Sequence, residues 1–162
     1  MEVMSSLSNK SNEIENEVIF LSKAHNINCK RWRKRSRYIG IPTAVFGIFA
    51  GGSVLTEFGG EDYNKFIVSA SAFLGALFGV LDKQLNPSER AASHRSASLQ
   101  FEKIKNDVFM FRDVRLKSSE FNDPDKNEVI VNQFDKILDS ISQAKNNAPV
   151  LSETAKKLAN TD

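Results

Sequence analysis

The sequence predicts an all-α integral membrane fold: a two-helix transmembrane hairpin carrying a cytoplasmic helical bundle. Three observations lead there. No Asp, Glu, Lys or Arg occurs from Tyr38 to Thr56, or from Phe66 to Leu81. A dense basic run (Lys30, Arg31, Arg33, Lys34, Arg35 and Arg37) stands directly before the first uncharged stretch. The remaining chain has helical periodicity with narrow apolar stripes and no segment that reads as a strand.

The first element is an amphipathic helix within residues 1–37, patterned from about Asn12 to Arg37 after a frayed start. Ile14, Val18, Leu21, His25, Asn28 and Trp32 fall at spacings of three and four, which places them on one face. This helix runs into the hairpin region, 38–85. Pro42 lies near the start of the first span, where it either bends the helix or opens a new one.

The spans cover about 38–58 and 64–82. At about 1.5 Å per residue the first uncharged stretch is about 28 Å long, near the ~30 Å hydrocarbon thickness. The second is about 24 Å long, and Lys65 and Lys83 at its flanks extend it by snorkelling. Tyr38 and Tyr63 sit where interfacial aromatic rings belong. The competing reading is a buried hairpin in the core of a soluble domain. It leaves the charge asymmetry unexplained.

That asymmetry sets the orientation. The connector Glu57–Lys65 is acidic and contains the Gly59-Gly60 turn, whereas basic residues flank the outer ends of both spans. Positive segments stay inside, so both termini are expected in the cytoplasm, with a short acidic loop outside. The polar leader before Tyr38 is too long for a secretory signal.

The cytoplasmic region after the hairpin covers 86–147. Asn86, Pro87 and Glu89 form a capping-box-like start. The helix that follows has a seam of His94, Ala97, Phe101, Ile104, Val108 and Phe111, running to about Arg115. Ser118–Lys126 reads as a loop, and Asp123-Pro124 as a second cap with proline just inside. The helix from Asn127 to about Asn146 carries Ile130, Phe134, Ile137, Ile141 and Ala144 on one face. Residues 148–162 form a polar tail with room for a short helix at Ser152–Leu158. Each helix has one apolar stripe, so the helices must pack on one another or on other copies.

Composition narrows function. The chain has 162 residues and a net charge of +2, and its basic residues concentrate at the membrane boundary. Direct nucleic-acid binding is therefore not expected, and membrane lipid is the expected contact of the basic run. The single cysteine, Cys29, excludes an intrachain disulfide and a cysteine-based metal site. It reads as a reduced thiol, with reversible acylation as the alternative. There is no phosphate-binding glycine loop and no nucleophile–base arrangement. His25 and His94 read as packing residues, a pH-sensing contact being the alternative. No enzyme, cofactor or metal is expected.

The spans carry small-residue faces: Gly47 and Gly51 with Ser53 in the first, and Ser71, Gly75 and Gly79 in the second. Small residues let helix backbones approach in lipid. They either close the hairpin within one chain or join neighbouring chains in a homo-oligomer. Glu57 and Asp82 sit at opposite rims, as candidate pore-rim rings or as ordinary interfacial acids.

With these elements in order, the layout over roughly residues 12–146 resembles the SLATT family, small two-transmembrane proteins associated with SMODS nucleotidyltransferases and SLOG sensors. The segment NPSERAASHRSASLQFEKIKNDV carries the likeness most directly, with its cap, His94, Ala97 and Phe101. The resemblance implies a pore-forming effector of anti-phage defence, acting by abortive infection. It implies a trigger from a separate sensor, nucleotidyltransferase or polymerase partner, with a cyclic nucleotide as one candidate signal. Residues 32–37 and 82–88 would couple the cytoplasmic helices to the spans. The alternatives are a phage holin-like autonomous pore and a membrane scaffold that recruits a cytoplasmic partner.

Overall fold

The computed structural model describes residues 2–51, 61–116 and 124–161. Among them the protein is all-α: α1 (Glu2–Ala50), α2 (Glu61–Leu85), α3 (Pro87–Met110), a π-helical turn (Phe111–Leu116), α4 (Pro124–Asn147) and α5 (Glu153–Ala159). The Gly59-Gly60 turn, Ser53, Glu57 and residues 118–123 of the expected loop lie outside the described residues.

α1 is longer than its periodicity suggested. It begins at Glu2 instead of fraying through residue 8, and it continues past Pro42. A proline inside a helix removes one backbone donor. Beside it, the Thr43 hydroxyl donates to the Ile39 carbonyl at 2.8 Å. Such back-bonding slightly destabilises a helix and often bends it.

α2 and α3 meet at Asn86, the one described non-glycine residue with positive φ, at 42°. Asparagine tolerates the left-handed region better than most residues. Its N–H donates to the Asp82 carbonyl at 2.9 Å, closing α2, and its carbonyl accepts the Arg90 N–H at 3.1 Å, opening α3. The expected capping box is altered here: the Asn86 side-chain amide donates to the Glu89 carboxylate. Pro87 takes the first helical position, where no N–H is needed.

The chain divides into two compact units, Met1–Cys29 with Ala92–Asp162, and Lys30–Ala91. The first is a helical bundle. Its core holds Ile14 and Val18 of α1, then Ala97, Phe101, Ile104, Val108 and Phe111, then Ile130, Phe134, Ile141 and Ala144 of α4. Phe111 and Phe134 meet with ring centroids 5.4 Å apart. Arg112, in the π-helical turn, reaches Asn12 at 3.0 Å and also pairs with Glu15. Lys145 of α4 pairs with Glu17 at 2.6 Å. The short helix α5 is built in: Ala155 and Ala159 are buried. Its N-cap Ser152 accepts the Ala155 N–H at 3.3 Å while donating to Asn28 Oδ1 at 2.7 Å.

The second unit pairs the C-terminal part of α1 with α2 and the first turn of α3. Phe46 stacks on Phe78 with centroids 5.9 Å apart. Ser36 and Ser88 hydroxyls are 2.9 Å apart. Partner numbers fall as α1 numbers rise, so the pairing is antiparallel. Among the described residues one helical stretch, within Lys65–Asp113, is long and apolar enough to cross a membrane, with a mean hydropathy of 1.6 over its most apolar part.

Candidate functional site

Three sets of residues carry chemistry or packing specificity. The first is the pair of uncharged segments. Their large apolar side chains point outward: Tyr38, Ile41, Val45 and Ile48 on α1, and Phe66, Phe73, Leu77 and Val80 on α2 are all exposed. Ile48 is 64 % and Phe73 70 % exposed. The small residues divide by role. Gly75 faces α1, where an added Cβ would lie 3.5 Å from Phe46 Cβ and 3.8 Å from Gly47 N. Ser71, one turn earlier, is buried. A Cβ on Gly47 or Gly79 would meet nothing within 4 Å. At Gly51, just past α1, it would meet only the carbonyls of Gly47 and Ile48. Thus only part of the expected small-residue face closes the contact between α1 and α2, and Gly47 and Gly79 stay open. Asp82 lies half-buried in the last turn of α2.

The second set is the basic run, which the helix splits between faces. Arg35 lies over the Trp32 ring at 4.7 Å, joined there by Arg90 at 5.0 Å. Arginine over indole is a favourable cation–π pairing. Lys30, Arg33, Lys34 and Arg37 instead line an open cleft of about 570 Å³ with Tyr38 and Ile41. Lys34 Nζ sits 5.8 Å from the Tyr38 ring centroid.

The third set is a ladder of buried polar pairs inside the bundle, on the α1 seam. Ser22 and Ser98 hydroxyls donate to each other's backbone carbonyls, at 3.2 and 3.0 Å. One turn on, His25 Nδ1 and His94 Nδ1 are 3.0 Å apart. A hydrogen bond between two Nδ1 atoms needs one ring protonated there and the other protonated on Nε2, so the pair holds two tautomers. His25 also stacks on Phe101, centroids 5.6 Å apart. Asn28 and Ser152 complete the ladder. Burial, then the neighbouring His94, hold the His25 pKa down at about 4, against an ordinary 6.5. Burial lowers that of His94 as well. The neutral forms are favoured because charging either ring would cost desolvation.

The whole α3 seam foreseen in the sequence, from His94 through Phe111, is buried. Both histidines lie on their stripes, and the structure joins them across helices. The Ser22–Ser98 and Asn28–Ser152 pairs, the Arg90–Trp32 contact and the π-helical turn were not foreseen. Polar residues on an apolar stripe signal a pairing, but their partners lie on distant segments. No group of three or more metal-ligating side chains occurs among the described residues.

The chain matches no protein-family model, no curated protein and no solved structure.

Proposed function

We propose that the chain is a two-pass membrane protein of the bacterial inner membrane that assembles into a homo-oligomeric pore, an effector of anti-phage defence. The carrying observation is the outward apolar surface of the antiparallel pair. Ile41, Ile48, Phe66 and Phe73 are each more than half exposed, and no charged residue lies from Ile41 to Ile48 or from Phe66 to Phe73. Water penalises such a surface, whereas lipid matches it, and a helix satisfies its own backbone there. The basic residues before the first segment favour keeping that end in the cytoplasm.

The open glycine faces at Gly47 and Gly79 suit contact between copies. The defence role rests on the resemblance to the SLATT family. A separate sensor, nucleotidyltransferase or polymerase would supply the trigger, directly or through a cyclic nucleotide. Because α1 and α3 contribute to both units, repacking of the bundle is covalently tied to the hairpin.

The test is membrane depolarisation in bacteria expressing the chain, alone or with its neighbouring genes, with and without phage. Leak only with neighbours and infection supports the gated effector. Leak from the chain alone favours an autonomous holin-like pore. An intact membrane potential in every condition overturns the pore and leaves the scaffold.

A further inference from the structure

The basic run does two different things. Arg35 is engaged over Trp32. Lys30, Arg33, Lys34 and Arg37 stand at helical spacings of three and four on one face, and they line the same cleft. No acidic side chain lines that cleft, and none of the four makes an ion pair among the described residues.

Along the same face the lining changes from cationic to apolar. Tyr38 and Ile41 close the cleft at its far end, and exposed Val45 and Ile48 continue the face beyond it. The four cations span eight residues, a rise of about 10 Å along the helix, comparable with the ~5–8 Å headgroup layer of one leaflet. An anion with an acyl chain below it has this same order of charge and apolarity. A soluble phosphate compound has no use for the apolar continuation.

We propose that this cleft binds the phosphate of an anionic phospholipid, with Lys30, Arg33, Lys34 and Arg37 around the headgroup and Tyr38 and Ile41 against the first part of its chain. The proposal rests on the membrane reading. It adds that residues of one basic run, equal in charge and interleaved along the same two turns of helix, differ in lipid contact. General attraction to an anionic surface would count them equally.

The experiment compares R33Q/R37Q with R31Q/R35Q in the full chain. Each is purified in neutral detergent and titrated with dioleoylphosphatidylglycerol or dioleoylphosphatidylcholine. Retained lipid is counted by native mass spectrometry. The wild type and R31Q/R35Q should retain phosphatidylglycerol preferentially, and R33Q/R37Q should bind it roughly tenfold more weakly. Equal loss in both variants, or no preference in the wild type, overturns the cleft. So does complete displacement of the lipid by excess inorganic phosphate, which would mark a soluble-anion site. Flotation with phosphatidylcholine vesicles after alkaline extraction keeps the two readings apart. A chain that does not float refutes the membrane reading, whereas one that floats without the difference between variants refutes only the cleft.

Discussion

The two units solve the same problem in opposite ways. In the bundle, each helix turns its apolar stripe inward: Val18, Phe101 and Val108 are buried, with charges such as Glu17 and Lys145 outside. In the Lys30–Ala91 unit, Gly75 and the stacked Phe46 and Phe78 meet between the helices while Ile48, Phe66 and Phe73 point outward. The bundle follows the pattern the hydrophobic effect imposes in water. The membrane reading proposed above accounts for the other unit: in lipid, close backbone approach and dispersion join helices because apolar surface gains nothing by hiding. Even polar contacts follow this division. The bundle buries hydroxyl, imidazole and amide pairs, whereas in the other unit Arg90 meets Trp32, and Ser36 meets Ser88, near its basic end.

The sharpest way to break the comparison is to truncate one large aromatic in each unit. Phe101→Ala should destabilise the bundle by about 3–5 kcal/mol, because its ring fills the core beneath His25. Phe73→Ala should leave the melting of the detergent-solubilised chain nearly unchanged. Comparable losses would mean that Phe73 is buried in the working protein, against another copy.

Charge inserted on the outward face comes next. Ile48→Lys should cost about 3 kcal/mol of membrane insertion and reduce the integrated fraction after alkaline extraction. On a water-exposed surface the same change would be harmless, so unchanged integration would refute a lipid-facing Ile48.

A third test turns on pH. In the unfolded chain His25 titrates near 6.5, and in the bundle it is held near 4. Between those values the unfolded chain binds more protons. The contribution is therefore complete above pH 6.5 and is lost as pH falls towards 4, with a loss of up to roughly 3 kcal/mol. Denaturant titrations across that window check it. His25→Phe should flatten the acid limb, and an acid limb unchanged by that substitution would assign the loss to other groups.

The smallest effect sharpens the role of the glycines. Gly75→Leu should push α1 and α2 apart at a cost of about 1–3 kcal/mol, since Phe46 leaves room for little beyond a methyl group. Gly79→Ala meets open space and should leave the melting temperature in place. A shift in the crosslinked oligomer distribution of Gly79→Ala would place that face between copies.

Much of this was legible in the chain because helices write their burial locally. The seam His94–Phe111 and the face Ile130–Ala144 repeat at threes and fours, and that spacing alone selects the buried side. Pro87 and Pro124 start their helices because proline costs nothing where no N–H is needed. Other features were not legible. The spacing marks Asn86 as a cap for α3, but not that its left-handed conformation also closes the preceding helix. The π-helical turn at Phe111 left no signal, because its residues continue an ordinary helical pattern.

The sequence by itself determined the all-α class, the buried stripes, the uncharged segments and the concentration of positive charge before the first of them. Each depends on neighbours three or four residues away, or on local composition. Only the tertiary structure decided which polar residue meets which: Ser22 with Ser98, His25 with His94, Asn28 with Ser152, Trp32 with Arg90. It also decided that Gly75 faces a helix while Gly79 faces open space, and that four cations share a cleft while Arg35 covers an indole. Those outcomes depend on the register between segments far apart in the chain, which is set when whole surfaces pack and which no local spacing encodes.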